Sequence, residues 1–314
     1  MKKAYYSLLF LFAIFSCLHK NESESFENIK KKLSPLCNKM GRNYNGTGRS
    51  WINHANMSFS KYKCLKPVRP DSIRKTLYIL PLGKFDSTEY SLVPISAEYL
   101  QAYYGIAVHV LPTIGTDVVP AKHTRNTYMS IFECKTLGST TSCQWVDTPT
   151  VQLNTKYLFK SVLKPALPND AIGVIALTNK DIYPSDTHDF VFGIASLSDR
   201  VGVWSFARFG DVHKKEDFKT ILIRTLKIAS HETGHMFSIR HCYDYHCVLN
   251  GTEGLFAVDG RPVWLCPDCL EKYCWNFKTT PVKQFRRLSA FWRKYRFETE
   301  AKVYEKFIEA LNSK

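Results

Sequence analysis

The sequence predicts an α/β fold built on a mixed sheet, in one or two domains. Apolar β-rich runs alternate with helical patterns between residues 76 and 177, and two more β-rich runs then follow one another before a long helix. Alternating strands and helices are typical of parallel strand pairs, whereas consecutive strands add antiparallel ones. At 314 residues the chain can bury a core that needs no disulfide scaffold.

Each predicted element has its own local pattern. The strands are short apolar runs bounded by turn residues, and they lie at 76–82, 106–111, 171–177, 189–195 and 201–208. The helices have apolar residues at spacings of three and four, and they lie at 96–104, 155–163, 216–237 and 284–314. Residues 29–71 show no sustained period, which predicts an irregular lead-in with short helices.

Composition excludes several protein classes. With 45% hydrophobic and 23% charged residues, the chain is not typical of a disordered protein, a collagen or a coiled coil. Lys and Arg total 43 against 28 Asp and Glu, a formal charge of +15. This excess favours anionic partners without selecting one, and a solvated basic surface is the commoner explanation.

The amino terminus has the layout of an export signal. A positive head, Met1 to Lys3, precedes an apolar run over residues 4–15 and then Ser16 and Cys17. The run is shorter than the roughly 20 residues that span a bilayer. The end of the run also resembles a bacterial lipoprotein signal with a lipidated Cys17, and simple secretion is the alternative. We therefore expect an exported protein of the bacterial cell envelope, anchored to a membrane through Cys17 or else periplasmic or secreted.

The long helix carries the motif His-Glu-x-x-His at residues 231–235. Side chains four residues apart share a helix face about 6 Å apart, so His231 and His235 can reach one Zn²⁺. Glu232 can hold a water bound to that metal, take its proton and pass it to a leaving amine. The alternative is a chance pentapeptide whose histidines are surface polar groups.

A third histidine, His241, follows six residues after His235. If the helix continued, six residues would turn this side chain some 120° away from the metal face. His241 can join the same zinc only if the helix ends and the chain doubles back. Ser238 stands where such a turn usually has a glycine, and a left-handed backbone at an L-residue costs about 1–2 kcal/mol.

Four cysteines follow at a spacing typical of a structural zinc site. They form two close pairs separated by 18 residues: Cys242, Cys247, Cys266 and Cys269. Paired thiolates of this kind surround zinc tetrahedrally, and a second zinc would brace the turn that carries His241. Alternatives are two disulfides, a redox C-x-x-C, or replacement of one ligand by His246 or Cys274.

The combined string of histidines and cysteines resembles the archaemetzincins (archaelysins), a metzincin family with one catalytic and one structural zinc. The resemblance extends over residues 77–275 and includes the upstream segments 181–184, 189–193, 195–197 and 205–208. It implies a metzincin-like zincin with a mixed twisted sheet, an active-site helix and a C-terminal subdomain whose zinc is held by four cysteines. Two residues depart from the family pattern: Ser238 replaces glycine, and Leu249 replaces a methionine beneath the zinc.

The resemblance also implies the role of each site residue. The catalytic zinc would be held by His231, His235 and His241, with Glu232 as the general base. The structural zinc would be held by Cys242, Cys247, Cys266 and Cys269. The implied domains are an export signal (1–17), a tether and irregular lead-in (18–75), an N-terminal metzincin subdomain with the active-site helix (76–237) and a C-terminal subdomain with the structural zinc and terminal helices (238–314).

We therefore expect a zinc-dependent metallopeptidase that binds two Zn²⁺ per chain and acts on a peptide or protein substrate. Ser238 and Leu249 motivate an alternative, a catalytically impaired zinc-binding surface lipoprotein that acts as a peptide-binding module. We expect a monomer and no nucleic-acid partner, because an exported protein has little access to nucleic acid.

Three finer predictions concern individual residues. The segment 189–197 is expected to be an edge strand that pairs with an extended substrate, since backbone pairing tolerates varied side chains. Tyr243 and Tyr245 are candidates for stabilising the oxyanion, although an ordinary core or surface role is commoner. Disulfides are expected between Cys134 and Cys143, across a hairpin loop, and between Cys37 and Cys64. Cys274 would remain a free thiol packed near the structural zinc.

Overall fold

A computed structural model describes residues 26–40, 56–137, 140–251 and 254–313. The predicted leader, with Cys17, lies outside these residues. None of the described helices combines the length and the apolar character that a bilayer crossing requires.

Two sheets form the centre of the molecule. The first has five strands in the order β2-β1-β5-β8-β7, all parallel except the edge strand β7, which is antiparallel to β8. The second has the order β3-β4-β6, with an antiparallel hairpin and a short parallel pair. The strands are β1 (Thr76–Leu82), β2 (Val108–Val110), β3 (Thr124–Leu137), β4 (Thr140–Asn154), β5 (Ala171–Thr178), β6 (Asp181–Tyr183), β7 (Gly193–Ala195) and β8 (Val201–Ser205).

The helices of the described residues flank these sheets. They are α1 (26–33), α2 (Phe59–Cys64), α3 (Ser87–Tyr104), α4 (Thr155–Tyr157, continued by the π-helical Leu158–Leu163), α5 (Lys215–Met236), α6 (Leu255–Gly260), α7 (Pro267–Asn276), α8 (Pro281–Lys294) and α9 (Glu298–Asn312). Helix α5 packs against β7, β8 and α3. The predicted mixed α/β fold is confirmed.

The five-stranded sheet is buried on both faces. Alternate residues of β1 and β5 belong to different apolar clusters, with Leu77 and Ile175 on the side of α3 and α5 and Leu80 and Val174 on the side of the π-helical segment. Side chains alternate between the faces of a strand, so both faces of a sheet covered on two sides must be apolar. This explains the near-continuous apolar runs that marked β1 and β5 in the sequence.

Some elements differ from the sequence prediction for identifiable reasons. Helix α3 begins at Ser87 rather than 96, because Asp86 accepts hydrogen bonds from the first turn and Glu89 accepts one from the Asp86 N–H. Pro94 lies inside this helix, a position that usually ends one. The edge segment predicted at 189–195 is a strand only over β7. The tail is helical as predicted, and it consists of two helices, α8 and α9.

The long β3–β4 hairpin corrects the predicted loop between Cys134 and Cys143. A loop at 135–142 is wrong, because strand pairing continues to Leu137 and resumes at Thr140. Cys134 and Cys143 are directly opposite each other in the register of this antiparallel ladder. The predicted Cys37–Cys64 disulfide is also wrong: both thiols are free, with Cys37 buried and Cys64 exposed to solvent.

The described part of the lead-in packs on the main core. Leu33, Met57 and Tyr62 belong to the same apolar cluster as α5 and the C-terminal helices. The Tyr62 side chain is fully buried, and its hydroxyl donates to the Phe237 carbonyl at 2.8 Å and accepts from the Asn276 amide at 2.6 Å. The lead-in is thereby tied to the residue at which α5 ends.

We expect Tyr62→Phe to lower the free energy of unfolding by about 1–3 kcal/mol, because the Phe237 carbonyl and the Asn276 amide would lose a buried partner. Thermal and urea unfolding of the purified protein measure this. Tyr128→Phe is the matched control, since Tyr128 is 67% exposed and its substitution should change stability by less than about 0.5 kcal/mol. Equal losses of stability in the two variants would show that the hydrogen bonds of the Tyr62 hydroxyl do not stabilise the fold.

Candidate functional site

The structure brings His231, His235 and His241 together. One ring nitrogen from each histidine lies within 4.8 Å of the others, and the Nε2 atoms of His231 and His235 are 3.0 Å apart. Three nitrogens around a tetrahedral zinc with bonds of 2.0–2.1 Å would be about 3.3 Å apart. The cluster therefore has the size of a zinc site.

The other ring nitrogens of the two helical histidines are occupied by backbone carbonyls. Nδ1 of His231 donates to the Val248 carbonyl at 2.8 Å, and Nδ1 of His235 donates to the Ile239 carbonyl at 2.6 Å. Each bond leaves the Nε2 lone pair free and orients the ring, which is the usual arrangement of zinc-binding histidines. The donor set therefore fits the metal.

Burial keeps these imidazoles neutral. Desolvation lowers the pKa of His231 well below its ordinary value and lowers the pKa of His235 to about 4. The charge of Arg261 lowers both pKa values further. A metal ligand must be the neutral imidazole, so protons compete weakly with a metal for His231 and His235 near neutral pH.

Glu232 lies beneath the edge strand. A Cβ placed on Gly193 would be 2.6 Å from Cγ of Glu232 and 2.8 Å from its Oε1, so only a glycine leaves room for this carboxylate. Burial raises the pKa of Glu232 to about 8, and the charge of Arg261 opposes this rise. A divalent cation beside the carboxylate would favour the ionised form.

The turn after α5 is built on Ser238. This residue has φ +65°, the left-handed conformation that the spacing of the third histidine requires. Its Oγ donates to the Leu197 carbonyl at 2.7 Å and accepts from the Val68 N–H at 3.3 Å. A glycine would make neither hydrogen bond, so the hydroxyl offsets part of the backbone strain.

A second glycine makes room for His241. A Cβ on Gly251 would be 3.0 Å from Nδ1 and 3.3 Å from Cε1 of His241. The backbone at Gly251 therefore packs directly against the imidazole ring of His241. Sequence reasoning missed this residue, because its only signal is an isolated glycine after the second cysteine.

The four cysteines form one buried cluster. Cys242, Cys247, Cys266 and Cys269 are free thiols whose sulfurs all lie within 4.8 Å of one another, and the Cys242 and Cys266 sulfurs are 3.6 Å apart. Sulfurs around a tetrahedral zinc with bonds of 2.3 Å are about 3.8 Å apart. Among the described residues, neither His246 nor Cys274 belongs to this group, and the sulfurs are not paired as disulfides.

The turn at 247–250 connects the two clusters. The Asn250 side chain accepts from the Cys247 N–H and donates to the carbonyls of Cys242 and Tyr245, each at 2.8 Å. The Cys242 N–H donates to the Leu249 carbonyl at 2.9 Å. Two adjacent residues therefore contact the two clusters. Cys247 belongs to the cysteine cluster, and the Val248 carbonyl orients the His231 ring.

Leu249 fills the space below the helix. Its side chain is buried, and its Cδ2 would be 2.8 Å from a Cβ placed on Gly234. The apolar contact with α5 that the family's methionine was expected to make is therefore supplied by a leucine.

A cleft of about 710 Å³ opens onto the three histidines. One wall is the edge segment 187–195, and the floor includes Ile228 and Glu232 from α5. Arg261, which is only 4% exposed, also lines the cleft, and its Nη1 lies 3.4 Å from the Val248 carbonyl. The sequence offered no signal for Arg261, because it lies in the unpatterned interval between the cysteine pairs.

The two tyrosine candidates differ in position. Tyr243 lies close to His241, with ring centroids 6.3 Å apart, and lines a neighbouring cavity. Tyr245 is buried, and its hydroxyl is 3.5 Å from Ser34 Oγ, with the chain paired to Lys39. Tyr245 is not among the described residues that line the cleft.

The sequence of this region matches a known family. The model of peptidase family M54 matches residues 152–274, which include every histidine and cysteine of the two clusters. This part of the chain is similar to the archaemetzincins. Human archaemetzincin-2 is 31% identical over 238 residues, covering 65% of this chain and 59% of that protein. Archaemetzincin-2 of Pongo abelii is 29% identical over 254 residues, covering 70% and 64%.

The chain thus spans about three fifths of the length of these family members. Among solved structures, the archaemetzincin of Methanopyrus kandleri is 23% identical, with a TM-score of 0.48, covering 67% of this chain and 98% of that one. The lead-in described above lies outside the residues that the family model matches.

We expect Gly251→Ala to weaken metal binding at the histidine cluster by about tenfold or more, because the added methyl group would displace the His241 ring. Titration of the metal-free protein with Co²⁺ and Zn²⁺ measures this, with absorption bands that separate nitrogen from thiolate ligation. Gly260→Ala is the matched control, since nothing lies within 4 Å of the added atom. Unchanged metal affinity in Gly251→Ala would show that packing against the Gly251 backbone does not position the His241 ring.

Proposed function

We propose that the protein is a zinc-dependent metallopeptidase that hydrolyses peptide bonds, with Glu232 as general base. The observation that carries the proposal is the convergence of three histidine side chains with a buried carboxylate on the floor of an open cleft. The match of residues 152–274 to the model of peptidase family M54 supports the reaction class.

Each polar residue has a role in this proposal. His231, His235 and His241 would hold one Zn²⁺, which when bound polarises a water molecule and the carbonyl of the scissile bond. Glu232 takes the proton from the attacking water and delivers it to the leaving amine. The Arg261 guanidinium lies on the same cleft and favours negative charge that develops there.

The edge strand β7 would orient the substrate. Among the described strands, β7 pairs with β8 alone, and it lines the cleft directly above Glu232. An extended peptide added along this edge would gain backbone hydrogen bonds that do not depend on its side chains. Specificity would then come from the cavities on either side of the histidines.

A second, structural Zn²⁺ is proposed at the four cysteines. Four thiols packed this closely are most simply explained as zinc thiolates, because metal binding removes their protons and offsets the repulsion between the resulting charges. The bound metal would fix Cys242 and, through the preceding peptide bond, the direction of His241.

A catalytically impaired peptide-binding protein is the second candidate function. Ser238 and Leu249 favour it, because both depart from the family pattern around the metal. The hydrogen bonds of Ser238 Oγ and the packing of Leu249 against α5 favour an active site instead. Export and lipidation of Cys17 are further proposals that rest on the leader alone.

Glu232→Gln is expected to retain zinc and lose peptide turnover by about 100-fold or more, since the amide cannot accept the water proton. Turnover of a quenched peptide library and zinc content by mass spectrometry measure the two properties. Glu309→Gln, an exposed change in α9, is the control that should match the unaltered protein. Full turnover in Glu232→Gln would remove Glu232 from its assigned role.

Ser238→Gly separates the two candidate functions. It loses two hydrogen bonds of about 0.5–1.5 kcal/mol each but removes about 1–2 kcal/mol of backbone strain, so turnover should stay within about threefold. Ser238→Ala keeps the strain and loses the bonds, and should be less stable than either protein in thermal unfolding. Turnover that appears only in Ser238→Gly would instead support the peptide-binding function.

A further inference from the structure

The cleft has a second arm on the side of the lead-in. This cavity, of about 430 Å³, shares Ala195, His235 and His241 with the main cleft, so the two meet at the histidine cluster. Its remaining walls come from three parts of the chain: Asn56, Met57 and Lys61 of the lead-in, Leu197 after β7, and Arg240 and Tyr243 of the turn after α5.

The lead-in wall is held firmly against the turn that carries His241. The Tyr243 N–H donates to Asn56 Oδ1 at 2.8 Å, and the Val68 N–H donates to Ser238 Oγ at 3.3 Å. Backbone bonds at residues 38–40 continue the contact, with Met40 N–H donating to the Asp244 carbonyl at 2.9 Å. A wall fixed in this way can hold a substrate group at a defined distance from the metal site.

The charges on the two arms differ. The main cleft is lined by two carboxylates, Asp189 and Glu232, as well as by Arg261. The second arm is lined by two exposed cations, Lys61 and Arg240, and by no acidic side chain among the described residues. A carboxylate entering this arm would gain charge-assisted hydrogen bonds from both cations.

We propose that the second arm is a specificity subsite for a carboxylate of the peptide substrate, supplied by an acidic side chain or by the terminal carboxylate. The proposal rests on the proposed peptidase function and adds to it a substrate preference and a role for the lead-in. An extended peptide paired with β7 would pass from the main cleft to the second arm, so one residue beside the scissile bond would reach Lys61 and Arg240.

The test uses paired peptides that differ by Glu or Gln at each position around the cleaved bond, and pairs with a free or an amidated carboxyl terminus. We expect kcat/KM to favour Glu over Gln at one position, or the free over the amidated terminus, and the pair that responds identifies the source of the carboxylate. Lys61→Gln and Arg240→Gln should each reduce this preference by about twofold to fivefold, because each removes one of the two charges that would contact the carboxylate.

Lys63→Gln is the matched control. It removes the same charge from the same helix, but Lys63 lies over the Phe59 ring and does not line the second arm. The Lys63→Gln variant should show the same preference for a carboxylate as the unaltered protein. The zinc content of every variant is measured as well, so that loss of metal from Arg240→Gln is not mistaken for loss of the subsite.

Binding of the same peptides to Glu232→Gln, followed by fluorescence anisotropy, separates the subsite from the reaction. In one outcome, the unaltered protein cleaves no peptide, but peptides with the extra carboxylate bind more tightly than their neutral partners, and this difference depends on Lys61 and Arg240. The peptidase function would then be wrong and the subsite would be supported. Cleavage with no preference for a carboxylate at any position, or a preference unchanged in both variants, would overturn the subsite and leave the peptidase function intact.

Discussion

The structure depends on one short turn, residues 247–250, that contacts both the histidine cluster and the cysteine cluster. Cys247 contributes a sulfur, the Val248 carbonyl orients His231, and the Asn250 side chain closes the loop onto Cys242. Because these contacts are made largely by backbone groups and one buried amide, the turn cannot move without disturbing both clusters. Buried polar groups that are fully hydrogen-bonded in this way specify one arrangement, since any alternative leaves a group without a partner.

The helix that carries the first two histidines imposes the complementary constraint. Helix α5 must end within one turn of His235 so that the chain can return His241 to the same face. The left-handed Ser238 makes this reversal, and its hydroxyl connects the turn to the loop after β7 and to the lead-in. Ser238 therefore has a structural role that a glycine would lack. Its hydroxyl joins the turn between His235 and His241 to two segments that border the cleft.

The lead-in is part of the same assembly. Tyr62 reaches the carbonyl at the end of α5, and the stretch at 38–40 pairs with the chain around Tyr245. The lead-in residues that make these contacts lie outside the region that the family model matches. The surroundings of the histidine cluster are therefore partly set by a segment beyond the matched region.

The sequence by itself determined those features in which chemistry is local. His231 and His235 lie one helical turn apart, and the cysteine pairs have the spacing of a zinc site. Strands β1 and β5 and helix α5 have clear apolar patterns. Each of these features could be predicted from a few neighbouring residues.

Only the tertiary structure decided the rest. The β3–β4 hairpin has no clean alternation, and Gly193, Gly251, Asn250 and Arg261 act through contacts with residues distant in the chain or in an unpatterned loop. Cys37 and Cys64 had suitable residue types for a bond, but in the structure both thiols are free, with Cys37 buried and Cys64 exposed. Such outcomes depend on which surfaces pack together, and no local pattern encodes that.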